Sequence, residues 1–196
     1  IAKVQNTPRT LPPEGTHIAR VIGLINIGTI KEEYMGELKE QQKIRLTFEL
    51  PEELHVFKEG DDAKPLVQSQ EYTLSMGKKS NLRPIVEGIL GTSLTDEEAF
   101  SFDVEKLLDM PCLISIKRDV SKKGAEYAKI ASVSKLMKGQ VCKSAFNPIT
   151  KLTYDEWNQE MFNKLPNFIK EKMESSTEYK NMKSISDDVK PDDIPF

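Results

Sequence analysis

Cysteine, histidine and tryptophan are scarce in this chain: two cysteines, two histidines and one tryptophan among 196 residues. Cys112 and Cys142 are too few for a disulfide framework at this length and lack CxxC spacing, so two free thiols in a reducing compartment are expected, and no zinc site. His17 and His55 have no companions at ligand spacing. No GxxxxGK[ST], GxGxxG or GxSxG motif occurs, and the acidic run Glu59-Gly60-Asp61-Asp62 lacks the ligand spacing of a calcium loop. These absences argue against an enzyme and against any metal or cofactor. No apolar run approaches the roughly 18–20 residues that span a bilayer. The first residues have no apolar stretch of signal-peptide type, so the expected location is the cytoplasm, with no membrane partner.

Charge is abundant, and its net value of −3 conceals its distribution. Residues 32–62 carry ten acidic and four basic side chains, whereas residues 111–143 carry eight basic and two acidic ones. A polyanion responds to local charge rather than to the mean. The strongest basic group, Lys117, Arg118, Lys122 and Lys123, lies on or beside the turn Ser121-Lys122-Lys123-Gly124. Lys78, Lys79 and Arg83 form a second group, and Lys43 and Arg45 a third. Tyr34, Tyr72 and Tyr127 are the candidate stacking rings, because a phenol tolerates exposure and an aromatic face can receive a base. Solvation of a turn and a sheet face by lysine is the plain alternative for each residue taken singly.

The apolar pattern predicts a mainly β chain. Residues 1–15 read as a proline-bearing arm. Thr16–Ile27 reads as a first strand and residues 28–40 as a polar loop. Gln42–Leu50 alternates, with Ile44, Leu46, Phe48 and Leu50 facing a core and Lys43, Arg45, Thr47 and Glu49 facing water. A long acidic excursion over 51–70 precedes a short third strand at Glu71–Met76. Ser80 and Gly91 bracket a helix whose Leu82, Ile85, Val86, Ile89 and Leu90 share one face. Thr95 and Glu98 form a capping box, and Asp103 caps a short helix at Val104–Leu108. Cys112–Arg118 and Ala125–Ser134 are paired in a hairpin. A helix, capped by Thr153 with Glu156 and interrupted by Pro166, carries Trp157, Met161, Leu165, Phe168 and Ile169 and is expected to pack on the body.

Three strands, a helix and two strands is the order of a five-stranded OB barrel with a helix between strands three and four. The predicted organisation is an arm (1–15), an OB domain (16–148), a helical extension (149–175) and a flexible acidic tail (176–196). The tail ends in Asp187-Asp188-Val189-Lys190-Pro191-Asp192-Asp193-Ile194-Pro195-Phe196. Little apolar surface offsets its ordering entropy, yet it closes on an apolar anchor beside a carboxylate that a partner with a hydrophobic pocket and a basic lip can capture. An ordinary frayed terminus is the alternative.

Two resemblances sharpen this reading. Residues 15–148 resemble phage-encoded single-stranded-DNA-binding proteins with an OB fold. The resemblance rests on Gly15-Thr16-His17-Ile18-Ala19-Arg20-Val21, Ile44-Arg45-Leu46-Thr47-Phe48-Glu49-Leu50-Pro51, Tyr72-Thr73-Leu74-Ser75-Met76 with Lys79-Ser80-Asn81-Leu82-Arg83, and Tyr127-Ala128-Lys129-Ile130. The tail, through Asp187, Asp188, Asp192, Asp193, Ile194, Pro195 and Phe196, resembles the docking tip of bacterial single-stranded-DNA-binding proteins, though Lys190 breaks its acidic run. The resemblance implies a sequence-tolerant coat for single-stranded DNA in replication, recombination and repair, in the host cytoplasm, delivering replication or repair proteins through the tail. Strand annealing or recombination mediation, and an OB module that binds only proteins, remain open, as does a homo-oligomer.

Overall fold

The computed structural model describes residues 10–188, excepting the side chains of Tyr34 and of residues 186–188. The chain is mainly β. Its strands are β1 (Gly15–Tyr34), β2 (Glu37–His55), β3 (Lys64–Thr73), β4 (Pro111–Val120), β5 (Glu126–Ser134) and β6 (Thr150–Leu152). Helices α1 (Leu82–Leu90) and α2 (Asp96–Phe100) and a 3-10 turn at Val104–Leu107 lie between β3 and β4; α3 (Gln159–Lys164), α4 (Asn167–Ser175) and α5 (Thr177–Asp188) follow β6. The strands form one sheet in the order β3-β2-β1-β4-β5, all antiparallel, with β6 added parallel to β1. Among the described residues no helix is long and apolar enough to cross a membrane.

The expected strand order and helix position are met, but the expected closed barrel is not. No backbone ladder joins β3 to β5 among the described residues. Two glutamines span the seam instead. Gln68 donates to the Ala128 carbonyl at 2.9 Å, while Gln70 accepts the Ile130 N–H at 2.7 Å and donates to the Ile130 carbonyl at 3.4 Å. A side-chain amide has the donor and acceptor set of a peptide group, so it can satisfy edge groups that lack a strand partner.

β1 and β2 are longer than their apolar content suggests. The expected loop at 28–40 is the far half of a hairpin that turns at Met35-Gly36, with both central residues at positive φ (54° and 80°). Opposite charges hold its polar strands, as in Lys31–Glu40 at 3.2 Å across the ladder. A methionine in the left-handed region costs about 1–2 kcal/mol. The excursion expected at 51–70 shrinks likewise: β2 runs to His55, and β3 lies earlier than predicted, placing Leu66 and Gln68 inside.

Two cores lie on opposite faces of β1. Ile44, Leu46, Phe48 and Leu50 of β2 are buried as predicted, with Val21, Leu24, Ile114 and Ile116 and with Leu82, Ile85, Val86 and Ile89 of α1. Leu90 is only partly covered. A Cβ on Gly88 would lie 2.2 Å from the Val133 carbonyl oxygen, so α1 seats directly on the β5 backbone. Ser80 accepts the Arg83 N–H, Gly91 closes the helix, and the Thr95/Glu98 capping box and the Asp103 cap both form. The second core joins Ile27 and Ile30 of β1 to Leu152, Phe162, Ile169 and Met173. Leu24 and Ile25 point to opposite faces, so the C-terminal helices cover the outer side of the sheet. The Thr153/Glu156 motif makes a turn, and α3 begins later, at Gln159, capped by Asn158, whose side chain accepts the Met161 N–H. Pro166 separates α3 from α4, and Phe168, expected in the apolar stripe, is exposed.

The segment expected to be a flexible tail from 176 includes α5. Its Glu178 accepts the Thr29 N–H at 2.6 Å and the Thr29 hydroxyl at 2.7 Å. At neighbouring Gly28, φ is 91° and a Cβ would lie 2.7 Å from the Glu178 carboxylate, so only glycine fits. Glu49, predicted to face water, is fully buried. The connection after β5 crosses it, and its carboxylate accepts the Phe146 and Asn147 N–H groups at 2.8 Å and the Asn147 side-chain amide at 2.7 Å.

Gln70→Leu will strand the Ile130 N–H and carbonyl and will lower stability by about 1–3 kcal/mol in urea titration. Burial raises the Glu178 pKa, but the Thr29 hydrogen bonds outweigh it and hold the group below its ordinary value of 4.5. Its contribution is therefore complete above the ordinary range and lost as pH falls through the lowered value. Trp157, the single tryptophan, lies 5.8 Å from the ring of Tyr179 and reports on α5. Its emission will change on acidification below the ordinary glutamate range, and less so in Glu178→Gln.

Candidate nucleic-acid interface

The β4–β5 hairpin forms as predicted. The Ser121 N–H donates to the Ala125 carbonyl at 2.8 Å, the Ser121 hydroxyl accepts the Ala125 N–H at 3.0 Å, and Gly124 takes φ 80°. Lys122 and Lys123 stand exposed on this turn, and Lys117 is exposed on β4; none of the three forms an ion pair among the described residues. The register opposes Lys117 to Lys129 and Asp119 to Tyr127, so these four share one face. Lys129 pairs with Asp119 at 2.5 Å, which raises the lysine pKa and lowers that of the aspartate. Arg118 turns the other way. It reaches Glu126 at 3.3 Å and the Leu11 and Pro12 carbonyls, and so braces the N-terminal segment.

A groove follows the seam between β3 and β5. Tyr127 and Lys129 line its first part with Arg45 and Glu71; a deeper cleft then runs past Thr73, Lys43 and Asn81 beside Ile130–Val133, and a third recess reaches Lys79. Its cations are largely neutralised. Lys43 is 3.0 Å from Glu32 and Arg45 is 3.4 Å from Glu71. The α4 helix covers this face: the Phe168 ring lies 5.5 Å from the Arg45 guanidinium, and Lys172 reaches Glu71 at 2.6 Å. Lys78 pairs with Asp96 at 3.0 Å. Arg83 is structural, bound to Glu87 at 3.0 Å, to Asp96 at 2.8 Å and to the Leu94 carbonyl. Lys79 is exposed and without an ion pair among the described residues. Among the described residues the sequence grouping thus yields four lysines without an ion pair, Lys79, Lys117, Lys122 and Lys123, and five basic residues held by acids.

The three tyrosines separate. Tyr127 is 41% exposed and available. Tyr72 corrects the expectation: it is 5% exposed inside the first core, its hydroxyl has no hydrogen-bond partner among the described residues, and burial pushes its pKa well up. It cannot offer a face to a base. The side chain of Tyr34 lies outside the described residues. Phe168 was missed as a surface ring: Ile169 and Met173, four apart, define the buried stripe of α4 and leave Phe168 beside the groove. Asp187 and Asp188 end α5, and Asp192, Asp193, Ile194, Pro195 and Phe196 lie outside the described residues. Cys112 and Cys142 are free thiols, the former pushed up to about 12 by burial.

No protein-family model matches this chain, and no curated protein matches it.

Proposed function

We propose that the chain is an OB-type single-stranded-DNA-binding protein. It coats unpaired strands without sequence specificity during replication, recombination and repair in the host cytoplasm, and its acidic terminus recruits partner proteins. The reading is carried by Lys117, Lys122 and Lys123, exposed on one hairpin with Tyr127 at the mouth of a groove. In OB folds the loop between the fourth and fifth strands is one of the ligand-binding loops. The strand order and the helix between β3 and β4 support the same reading. The lysines would neutralise phosphates, Tyr127 and Phe168 would stack bases, and no catalytic step is assigned.

A protein-only OB module is the second reading. It is favoured by the ion pairing of Lys43 and Arg45 and by the α4 cover over the β2–β3 face. Titration of single- and double-stranded oligonucleotides at two salt concentrations separates the two. The first reading expects preference for single strands and weaker binding at high salt. Changing Lys117, Lys122 and Lys123 together to alanine will weaken binding and flatten the log–log salt slope by up to about 2, at ~0.7 per phosphate contact. Absence of single-strand affinity in dilute buffer would leave the protein-only reading.

A further inference from the structure

Next to the hairpin tip, β4 and β5 present a surface apart from the seam. Ile114 and Ile116 point into the first core, so Ser115, Lys117 and Asp119, which alternate with them, face outward. The ladders set their neighbours. Lys117 opposes Lys129, and Ser115 lies between Thr16 of β1 and Ser132 of β5. Three hydroxyls therefore form one row across three strands, about 10 Å from end to end. A bulge at Ala131 makes this row possible. Ile130 points into the core, and without the extra residue Ser132 would point inward as well.

The row is open to a ligand. Thr16 and Ser132 are exposed and Ser115 is half-buried. The Thr16 and Ser115 hydroxyls lie 3.0 Å apart, so one donates to the other and the second keeps its proton for an outside acceptor. The Ser132 hydroxyl has no partner among the described residues.

Charge distinguishes this face from the seam. Along the seam, Arg45 meets Glu71, and Glu71 also meets Lys172. On the face, Lys117 has no ion pair among the described residues, and Lys122 and Lys123 extend it at the tip. Asp119, the carboxylate of this surface, is held by Lys129 at 2.5 Å. At the other end, Ile18 and Leu113 share a recess with Glu52 and Glu53, which repel a polyanion. The favourable stretch thus runs from the turn to the hydroxyl row, and from Val120 to Ser115 it covers roughly 17 Å of strand.

We propose that a single strand held at the β4–β5 hairpin crosses this face instead of entering the seam toward Asn81. Its phosphates meet Lys122, Lys123 and Lys117 first and the Thr16, Ser115 and Ser132 hydroxyls next. The inference rests on the single-strand reading above and assigns the path that the strand takes. Lysine and hydroxyl side chains both donate to phosphate oxygens, and such contacts carry no sequence information, in keeping with sequence-tolerant binding. Asp119 limits the affinity, because it withholds Lys129 from the strand.

The test is titration of the full chain with fluorescent oligo-dT at two salt concentrations. Ser115→Glu places a carboxylate at the centre of the row. Asn81→Asp places one in the seam cleft, and aspartate suits this N-cap position, so α1 is retained. Ser115→Glu is expected to weaken binding about tenfold and Asn81→Asp by less than about twofold. Ser115→Ala with Ser132→Ala adds no charge and is expected to weaken binding about threefold. That pair decides the matter should Ser115→Glu lose its circular-dichroism signature. Asp119→Asn releases Lys129 and is expected to tighten binding and to steepen the log–log salt slope by up to ~0.7. Undiminished binding by the Ser115 variants, a loss in Asn81→Asp as large as theirs, or an Asp119→Asn variant that binds no tighter each overturns the path and leaves the single-strand reading standing. A wild type without single-strand affinity in dilute buffer overturns both.

Discussion

The burial of β1 from both sides is the constraint on which the rest of the structure depends. One face of the strand closes the core beneath α1, and from Ile25 onward the other face carries the C-terminal helices. Irregularities at Val21/Gly23 and Asn26/Gly28 let one strand serve both layers, since an extra residue shifts which side chains point inward. Gly28 is where this arrangement is tightest, because its backbone conformation and the closeness of α5 both exclude a side chain.

The same double burial determines which charges remain available. Covering the outer face brings α4 onto Arg45 and Glu71, and a charge brought out of water must find a partner. Lys43 and Arg45, in the middle of the sheet, therefore meet acids. Lys117, Lys122 and Lys123, exposed on the β4–β5 hairpin, do not meet any among the described residues. Position relative to the second core, rather than the density of lysine along the chain, decides where a polyanion would find uncompensated charge. Glu49 and Arg20 show the converse case. Glu49, fully buried, and Arg20, half-buried, both hold the connection after β5, Glu49 through N–H groups and Arg20 through the Cys142 and Lys143 carbonyls.

The seam between β3 and β5 illustrates how a sheet can stop short of closure without leaving its edges bare. Gln68 and Gln70 occupy positions opposite Phe48 and Leu46, where an apolar side chain would be expected. Their amides bind the β5 backbone across a gap too wide for a ladder, and the groove lined by Tyr127 and Lys129 exists because that gap is not zipped.

By itself the sequence determined the local elements: the alternating face of β2, the caps of α1 and α2, the β4–β5 turn, the break at Pro166 and the placement of a helix between the third and fourth strands. These follow from side-chain period and from hydrogen bonds between residues a few positions apart, which sequence patterns record directly. Only the tertiary structure decided the length of the β1–β2 hairpin, because its charged strands are held by cross-strand pairs that look like loop when read singly. It alone placed Tyr72 in the core and Phe168 on the surface, and it sorted free lysines from paired ones. Each of those outcomes depends on what lies opposite in space, and the partners, such as Glu71 for Lys172 or Glu32 for Lys43, are set by packing rather than by neighbours along the chain.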